Sequence, residues 1–100
     1  MSDQVIEWAA FRLKEGVSDS TLFAASETIQ QEFLKRQKGF IKRDLVKESD
    51  GKWVDVVYWE SHQNAEDAMK QTMNSPVCLK YFEIMTDVNV SHLNVVKSYS

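Results

Sequence analysis

Residues 39–68, GFIKRDLVKESDGKWVDVVYWESHQNAEDA, predict a β-hairpin that leads directly into a helix. Two runs rich in β-branched and aromatic residues, Phe40–Lys47 and Trp53–Trp59, lie on either side of Glu48–Lys52. That connection contains Asp-Gly, a common hairpin signal because glycine adopts positive φ without steric cost. Ser61 is predicted to cap the following helix, since its hydroxyl accepts a hydrogen bond from a free backbone N–H.

Hydrophobic periodicity predicts the remaining elements. Alternation of side chains indicates a strand, and apolar residues spaced three and four apart indicate an amphipathic helix. The predicted elements outside the hairpin are a strand at Val5–Lys14, a helix at Thr21–Lys38 capped by Ser18 or Asp19, a helix at Gln63–Met73, a break at Asn74–Pro76, a helical segment at Val77–Met85 and a strand at Val88–Lys97. The helix at Thr21–Lys38 is expected to be followed by Gly39 in a left-handed conformation.

Two copies of strand, helix, strand predict an α+β domain of the ferredoxin-like βαββαβ type. This fold is a four-stranded antiparallel sheet with two helices on one face. Residues 1–100 are expected to form a single domain. The strands carry apolar residues on both faces, although a sheet open to water on one side should alternate clearly. We therefore expect a second subunit to cover the open face, so that two sheets form a barrel in a homodimer.

Composition excludes several classes of protein. The 12 basic and 15 acidic residues give a net charge of −3, which argues against nucleic acid as the main partner. No apolar run approaches the roughly 20 residues needed to span a bilayer. Residues 1–15 lack the basic and apolar regions of a signal peptide. The single Cys78 cannot form an internal disulfide, so a cytoplasmic location is expected.

Several catalytic motifs are absent from the sequence. It contains no glycine-rich phosphate loop, no cysteine and histidine cluster at metal-binding spacing, and no Gly-x-Ser-x-Gly nucleophile motif. Catalysis would therefore proceed without a nucleotide-binding fold or a structural metal.

Two pairs of polar residues are candidates for a functional site. His92 alternates with valines on the last strand, and Glu7 lies on the first strand, its expected neighbour in this fold. Together they would form an acid–base unit, a buried structural contact or a contact across the dimer interface. Arg43 and Asp55 share a sheet face only if the hairpin loop has three residues. On a shared face they would form a salt bridge or bind the substrate.

The chain resembles the antibiotic biosynthesis monooxygenase family of the dimeric α+β barrel superfamily. The resemblance covers nearly the whole chain, and its residues are Gly39-Phe40-Ile41-x-Arg43, Asp50-Gly51-x-Trp53-x-Asp55, Trp59-Glu60-Ser61, Ala65, Ala68, Pro76 and His92. It implies a homodimer with one pocket in each subunit, between the sheet and the helices. The superfamily includes cofactor-free quinone-forming monooxygenases and haem-degrading enzymes, so the resemblance is more specific for the fold than for the function.

The resemblance also assigns individual residues. Trp59 matches the tryptophan that lines the pocket of the monooxygenases, whereas Asp55 stands where the mechanistically assigned monooxygenase has an asparagine. A carboxylate accepts hydrogen bonds, whereas an amide also donates them, so the same mechanism does not carry over. The haem-degrading branch has a histidine ligand on the helix after the tryptophan. Met69 lies there in this chain and His62 lies at the helix cap, so no haem or other cofactor is expected.

Two hypotheses about function follow. The first is a cofactor-independent monooxygenase that acts on a small aromatic or polyketide-like substrate. The second is a non-catalytic, dimeric small-ligand-binding or stress-related module. For the first we predict His92, Glu7 and Asp55 as catalytic residues, and we predict that the substrate contacts are Trp59, Arg43, Phe11 and Met69. A cavity large enough for an aromatic ring and reached by Glu7, Asp55 or His92 would favour the monooxygenase, whereas filling of that cavity would favour the binding module.

Overall fold

The computed structural model describes residues 3–100 as an α+β domain with four strands and three α-helices. The elements are β1 (Val5–Leu13), α1 (Asp19–Glu32), a 3-10 turn (Leu34–Arg36), β2 (Phe40–Lys47), β3 (Trp53–Trp59), α2 (His62–Thr72), α3 (Pro76–Glu83) and β4 (Met85–Asn94). The strands form one antiparallel sheet in the order β2-β3-β1-β4, and the predicted ferredoxin-like fold is confirmed. Within residues 3–100, no helix has the length and apolar character needed to cross a membrane.

The hairpin between β2 and β3 has a three-residue loop. The backbone N–H of Glu48 donates to the carbonyl of Lys52 at 2.7 Å, so residues 49–51 form the loop. Gly51 has φ 91°, the left-handed conformation that such a loop requires. In the resulting register Leu45 lies opposite Asp55, and Arg43 lies opposite Val57. Arg43 and Asp55 therefore share a face of the sheet.

The order of the strands places β4 beside β1, as predicted. Glu7 lies directly opposite Val57 on one side and His92 on the other. The register between β1 and β4 shifts between Ala10 and Arg12. Because directly opposed side chains on one face are close neighbours, this pairing brings the Glu7 carboxyl next to the His92 ring.

Two helices begin at the predicted caps Ser18 and Ser61, and Ser75 in the predicted break caps the third. Serine side chains accept from backbone N–H groups at all three N-termini, in the pairs Ser18 with Thr21, Ser61 with Asn64 and Ser75 with Cys78. Pro76 at the first position of α3 separates α2 from α3, which gives three helices instead of the two of the idealised fold.

The prediction of one helix at Thr21–Lys38 was too long at its C-terminal end. Phe33 has φ −132° and leaves the helical conformation, and the chain continues as the 3-10 turn. The tighter turn lets the consecutive residues Phe33 and Leu34 both be buried, which a continuous helix facing the core would not favour. Gly39 has the expected positive φ of 83°, but it precedes β2 and does not end α1.

The last strand is shifted from its predicted position at Val88–Lys97. It begins at Met85, which is buried and paired with Leu13, and it ends at Asn94. Asn94 pairs with Val5, the first residue of β1. Beyond this pair, one hydrogen bond from the N–H of Val95 to the carbonyl of Gln4 at 2.9 Å lies outside β1. Because strand residues need a hydrogen-bonded neighbour, the start of β1 sets the end of β4.

The two faces of the sheet differ in what covers them. The helices cover one face, where the main core includes Val5, Phe11, Val57 and Trp59. The opposite face has no helix over it and carries a smaller apolar cluster of Ala10, Val54 and Val56, with Ile6 and Tyr58 packed against it. Trp8 lies on this open face with 38 % of its surface exposed. The apolar character of both faces, which the sequence predicted, is thus present in the centre of the sheet.

Candidate functional site

A cavity of about 460 Å³ lies between the sheet and the helices. Its volume lies within the range of small-molecule sites, and its wall is almost entirely apolar. All four strands and all three helices contribute to it, directly or through the turns that follow them. The lining residues are Glu7, Ala9, Ala10, Phe11, Ile29, Phe33, Leu34, Arg43, Asp55, Val57, Trp59, Ala68, Met69, Thr72, Tyr81, Phe82, Met85, Val88 and Val90.

Six of the seven candidate residues predicted from the sequence line this cavity. They are Glu7, Asp55, Trp59, Arg43, Phe11 and Met69. Phe11 is buried at the base, whereas Met69 is 41 % exposed. Phe82 and Val90 are also half exposed, so an apolar rim marks where the cavity opens. His92 is the exception, since it lies behind Glu7 and does not line the cavity.

Arg43 and Asp55 form a buried ion pair, with side chains 6 % and 9 % exposed. The Nε of Arg43 donates to Oδ1 of Asp55 at 2.9 Å. Its two terminal nitrogens donate to the carbonyl and hydroxyl of Ser26, to Oε1 of Gln30 and to the hydroxyl of Tyr81. These contacts match the five N–H donors of a guanidinium, so no donor is left for a substrate anion. The salt bridge is the observed role of Arg43.

Tyr81 completes this polar group from α3. Its hydroxyl donates to Oδ2 of Asp55 at 2.6 Å and accepts from Arg43 at 3.1 Å. Burial and the charge of Asp55 raise the pKa of Tyr81 far above its usual value, and the phenol therefore stays protonated. Burial disfavours the Arg43 cation, but Asp55 and Tyr81 more than offset it and raise the pKa of Arg43 overall.

Sequence reasoning did not identify Tyr81 or Ser26 as members of the site. Tyr81 lies in the helical segment predicted after Pro76, but nothing in the sequence indicated its partner. Asp55 lies 26 residues before Tyr81, and their contact depends on how α3 packs over the sheet. A buried carboxylate in β3 requires donors, and that requirement was the available signal for a tyrosine or serine on a facing helix.

Glu7 lies in a different environment. Its side chain is 19 % exposed, and burial raises the pKa of its carboxyl. His92 and the indole N–H of Trp59 lower that pKa without cancelling the effect of burial, and the charge of Asp55 raises it further. Glu7 is therefore a better proton acceptor than an ordinary surface carboxylate, because its charged form is poorly solvated.

The two nitrogens beside Glu7 make no well-aligned hydrogen bond among residues 3–100. Nε2 of His92 lies 3.5 Å from Oε1 of Glu7, an ion-pair distance without hydrogen-bond alignment. Nε1 of Trp59 is buried and near enough to Glu7 to lower the pKa of that carboxyl, but it also lacks hydrogen-bond alignment. Buried polar atoms are usually paired, and exceptions often mark sites that a ligand completes. The Trp59 indole can only donate, so it requires an acceptor atom.

His62 lies near this group but outside the cavity, as its position at the helix cap predicted. Its ring meets that of His92 edge to face, with centroids 5.6 Å apart. Its Nε2 lies 2.9 Å from Oε1 of Glu66, one turn further along α2. Among residues 3–100, no group of three or more histidine, cysteine or acidic side chains is arranged to hold a metal ion.

Comparisons with known proteins find solved structures with the same fold. No family model matches the chain, and no curated protein matches its sequence. A variant of SnoaB, a cofactor-independent oxygenase from Streptomyces nogalater, superimposes with a TM-score of 0.78 at 19 % identity over 97 % of both chains.

Two further solved structures agree with this result. A putative antibiotic biosynthesis monooxygenase from Bordetella bronchiseptica has a TM-score of 0.76 at 17 % identity, over 96 % of this chain and 100 % of that chain. Rv0793 from Mycobacterium tuberculosis has a TM-score of 0.70 at 20 % identity, over 97 % and 99 %. The resemblance to the antibiotic biosynthesis monooxygenases is thus confirmed at the level of the fold.

Proposed function

We propose that this protein is a cofactor-independent monooxygenase that oxidises a small aromatic, polyketide-like substrate held in the cavity. The observation that supports this most directly is a partly buried carboxyl with a raised pKa beside an indole N–H that lacks a well-aligned hydrogen bond, both facing an apolar space of about 460 Å³. A substrate with one acidic hydrogen and one oxygen acceptor complements those two groups.

The proposed reaction converts an activated ring CH₂ group to a carbonyl. Glu7 removes a proton from the substrate, and the resulting carbanion or phenolate donates electrons to O₂. One oxygen atom enters the ring carbon as C=O, and the other leaves as water with the two hydrogens of the former CH₂ group. Trp59 donates its N–H to the negative oxygen of the ionised substrate, and the apolar wall excludes water.

In this proposal Asp55 acts at a distance from the substrate proton. Both of its oxygens already accept hydrogen bonds, from Arg43 and from Tyr81. Its negative charge raises the pKa of Glu7 and so favours proton uptake there. Phe11 and Met69 supply apolar contacts to the ring system, and the contribution of Arg43 is to hold Asp55 in place.

Oxygen uptake with a panel of hydroquinones and anthrones tests the proposal. We expect uptake with at least one anthrone, with formation of the corresponding quinone in equal amount. Glu7→Gln should lower kcat by about a hundredfold or more, since it removes the base. Glu83→Gln, at an exposed position of α3, is the matched control and should leave kcat unchanged.

The non-catalytic ligand-binding module is the alternative outcome of the same assay. Saturable anthrone binding without oxygen uptake would indicate this module. Quenching of Trp59 fluorescence would measure the binding. The open cavity favours the monooxygenase, because neither Trp53 nor the methionines fill it.

We also propose that two copies pair through the open sheet face. The central side chains of this face are apolar, and Trp8 exposes 38 % of its surface there. Trp8→Glu should give a folded monomer. In a dimer the new charge would be buried without a partner, whereas in a monomer it is solvated. Lys70→Glu, on the outer side of α2, should leave the dimer intact. Light scattering that shows a stable wild-type monomer of 11.6 kDa would contradict the pairing.

A cytoplasmic location is part of the proposal. Cys78 is a buried free thiol, and burial raises its pKa, so it is unreactive and suited to a reducing compartment. Fractionation of the native host followed by immunoblotting would test this location.

A further inference from the structure

We propose that His92 and His62 form a proton path between the cavity carboxyl of Glu7 and solvent. The path deepens the proposed function, because a base in an apolar cavity must lose the proton it has taken before it can act again. The path itself does not depend on turnover, so the rate of proton transfer along it can be measured without substrate.

The geometry begins at the buried end of the path. Oε1 of Glu7 and Nε2 of His92 lie 3.5 Å apart, and that nitrogen is buried and otherwise unpaired. The His92 side chain as a whole keeps 18 % of its surface exposed. The ring therefore has one nitrogen facing the carboxyl while another part of it reaches the surface.

The surface end of the path lies on α2. The His62 ring contacts the His92 ring edge to face, and 54 % of the His62 side chain is exposed. Nε2 of His62 lies 2.9 Å from the carboxylate of Glu66, which holds the ring in place at the surface. His62 is thus placed to exchange protons with water next to His92.

The other polar groups near Glu7 cannot accept its proton. The indole of Trp59 is a donor only. Arg43 keeps its charge, and its donors are all bound within the protein. The hydroxyl of Tyr81 already donates to Asp55, whose two oxygens are both occupied. Among the groups that face Glu7 from β2, β3, β4 and α3, only His92 has a free nitrogen lone pair when neutral.

The transfer balances without a further reactant. The proton leaves Oε1 of Glu7 and binds Nε2 of His92, which gives a carboxylate and an imidazolium. The imidazolium then loses a proton from Nδ1 to water or to His62, and His62 releases it to solvent. Glu7 returns to its charged form, and tautomer exchange through solvent returns the lone pair to Nε2 of His92.

A proton-jump experiment on the ligand-free protein tests this path. A photolysed proton donor lowers the pH within microseconds, and time-resolved infrared spectroscopy follows the carboxyl stretch of protonated Glu7. The band is assigned by its loss in Glu7→Gln. We expect His92→Gln to slow protonation of Glu7 by about tenfold or more, and His62→Gln to slow it by a smaller factor.

The outcomes separate the two proposals. An unchanged protonation rate in both His92→Gln and His92→Asn would overturn the path, as would the absence of any Glu7-dependent band in the wild type. Glu83→Gln should leave the rate unchanged. In the oxygen assay, His92→Gln should lower kcat with KM unchanged, and added imidazole should restore part of it. A wild type that consumes no oxygen would overturn the proposed function alone.

Discussion

Two polar groups lie on the helix-covered face of the sheet, and they differ in how completely they are paired. The Arg43 cluster comprises Arg43, Asp55, Tyr81 and Ser26, and every donor and acceptor in its core has a partner. The Glu7 cluster comprises Glu7, Trp59 and His92, and two of its nitrogens lack a well-aligned hydrogen bond. Each contains one carboxyl on a central strand of the same sheet.

The difference shows that burial alone does not identify a functional carboxyl. Asp55 is the more deeply buried of the two, yet its two oxygens are held by a cation and a phenol. Such a group stabilises one packing arrangement and has no capacity left for a ligand. Glu7 lies 3.5 Å from Nε2 of His92, too far for a good hydrogen bond, and it is available to a molecule that enters the cavity.

The largest expected effect is on stability and comes from breaking the Arg43 cluster. Asp55→Ala leaves the buried guanidinium of Arg43 without its counter-charge, and we expect a loss of about 3–5 kcal/mol in the free energy of unfolding. Urea denaturation followed by tryptophan fluorescence measures it. A loss below about 1 kcal/mol would show that the cluster is not a structural unit. Glu7→Gln is the matched comparison and should cost less than Asp55→Ala.

Trp59 takes part in both roles, and two substitutions separate them. Its ring is 1 % exposed and packs edge to face on Phe40 at 5.9 Å. Trp59→Ala should lower stability by about 3–5 kcal/mol, as other aromatic truncations in cores do. Trp59→Phe keeps most of the apolar contact and should cost less than about 1.5 kcal/mol. If Trp59→Phe nevertheless weakens anthrone binding, the lost N–H is the cause.

The sequence was sufficient for the fold because each local signal agreed with the others. Asp-Gly in the hairpin, the serine caps and Pro76 punctuate the chain at short range, and periodicity shows which side of each element is apolar. The strand ends were less predictable. The end of β4 depends on where β1 begins, which is a contact between distant parts of the chain.

The same limit applies to the site. The position of Glu7 beside His92 followed from the strand order of the fold, and the structure has that pairing. The contacts of Arg43 depended on the length of one loop and on the packing of α1 and α3, so the sequence left its role open. Tyr81 was missed for this reason. Side chains that meet only through helix packing carry no short-range signal.

A moderate effect is expected from Tyr81→Phe, which removes one hydrogen bond from the Arg43 cluster and leaves its charges paired. Oδ2 of Asp55 loses its donor at 2.6 Å, and the buried oxygen remains unpaired. We expect a loss of about 1–3 kcal/mol in urea denaturation. Tyr99→Phe, at an exposed position, is the control. A neutral Tyr81→Phe would imply that water replaces the hydroxyl.

The smallest effect concerns the pH dependence that Glu7 contributes to stability. Burial raises the pKa of Glu7 in the folded protein above the value of 4.5 expected in the unfolded chain. Between these two pKa values the folded state holds more protons than the unfolded state, so stability falls as the pH rises through this interval and then levels off.

Glu7→Gln removes this dependence. The free energy of unfolding of the wild type, relative to Glu7→Gln, should therefore decrease from acidic pH toward neutrality. Denaturation curves at closely spaced pH values measure that difference, and most other titrating groups cancel in it. A difference that grows in favour of the wild type as the pH rises would mean that His92 and Trp59 outweigh burial and that Glu7 is a paired structural carboxylate like Asp55.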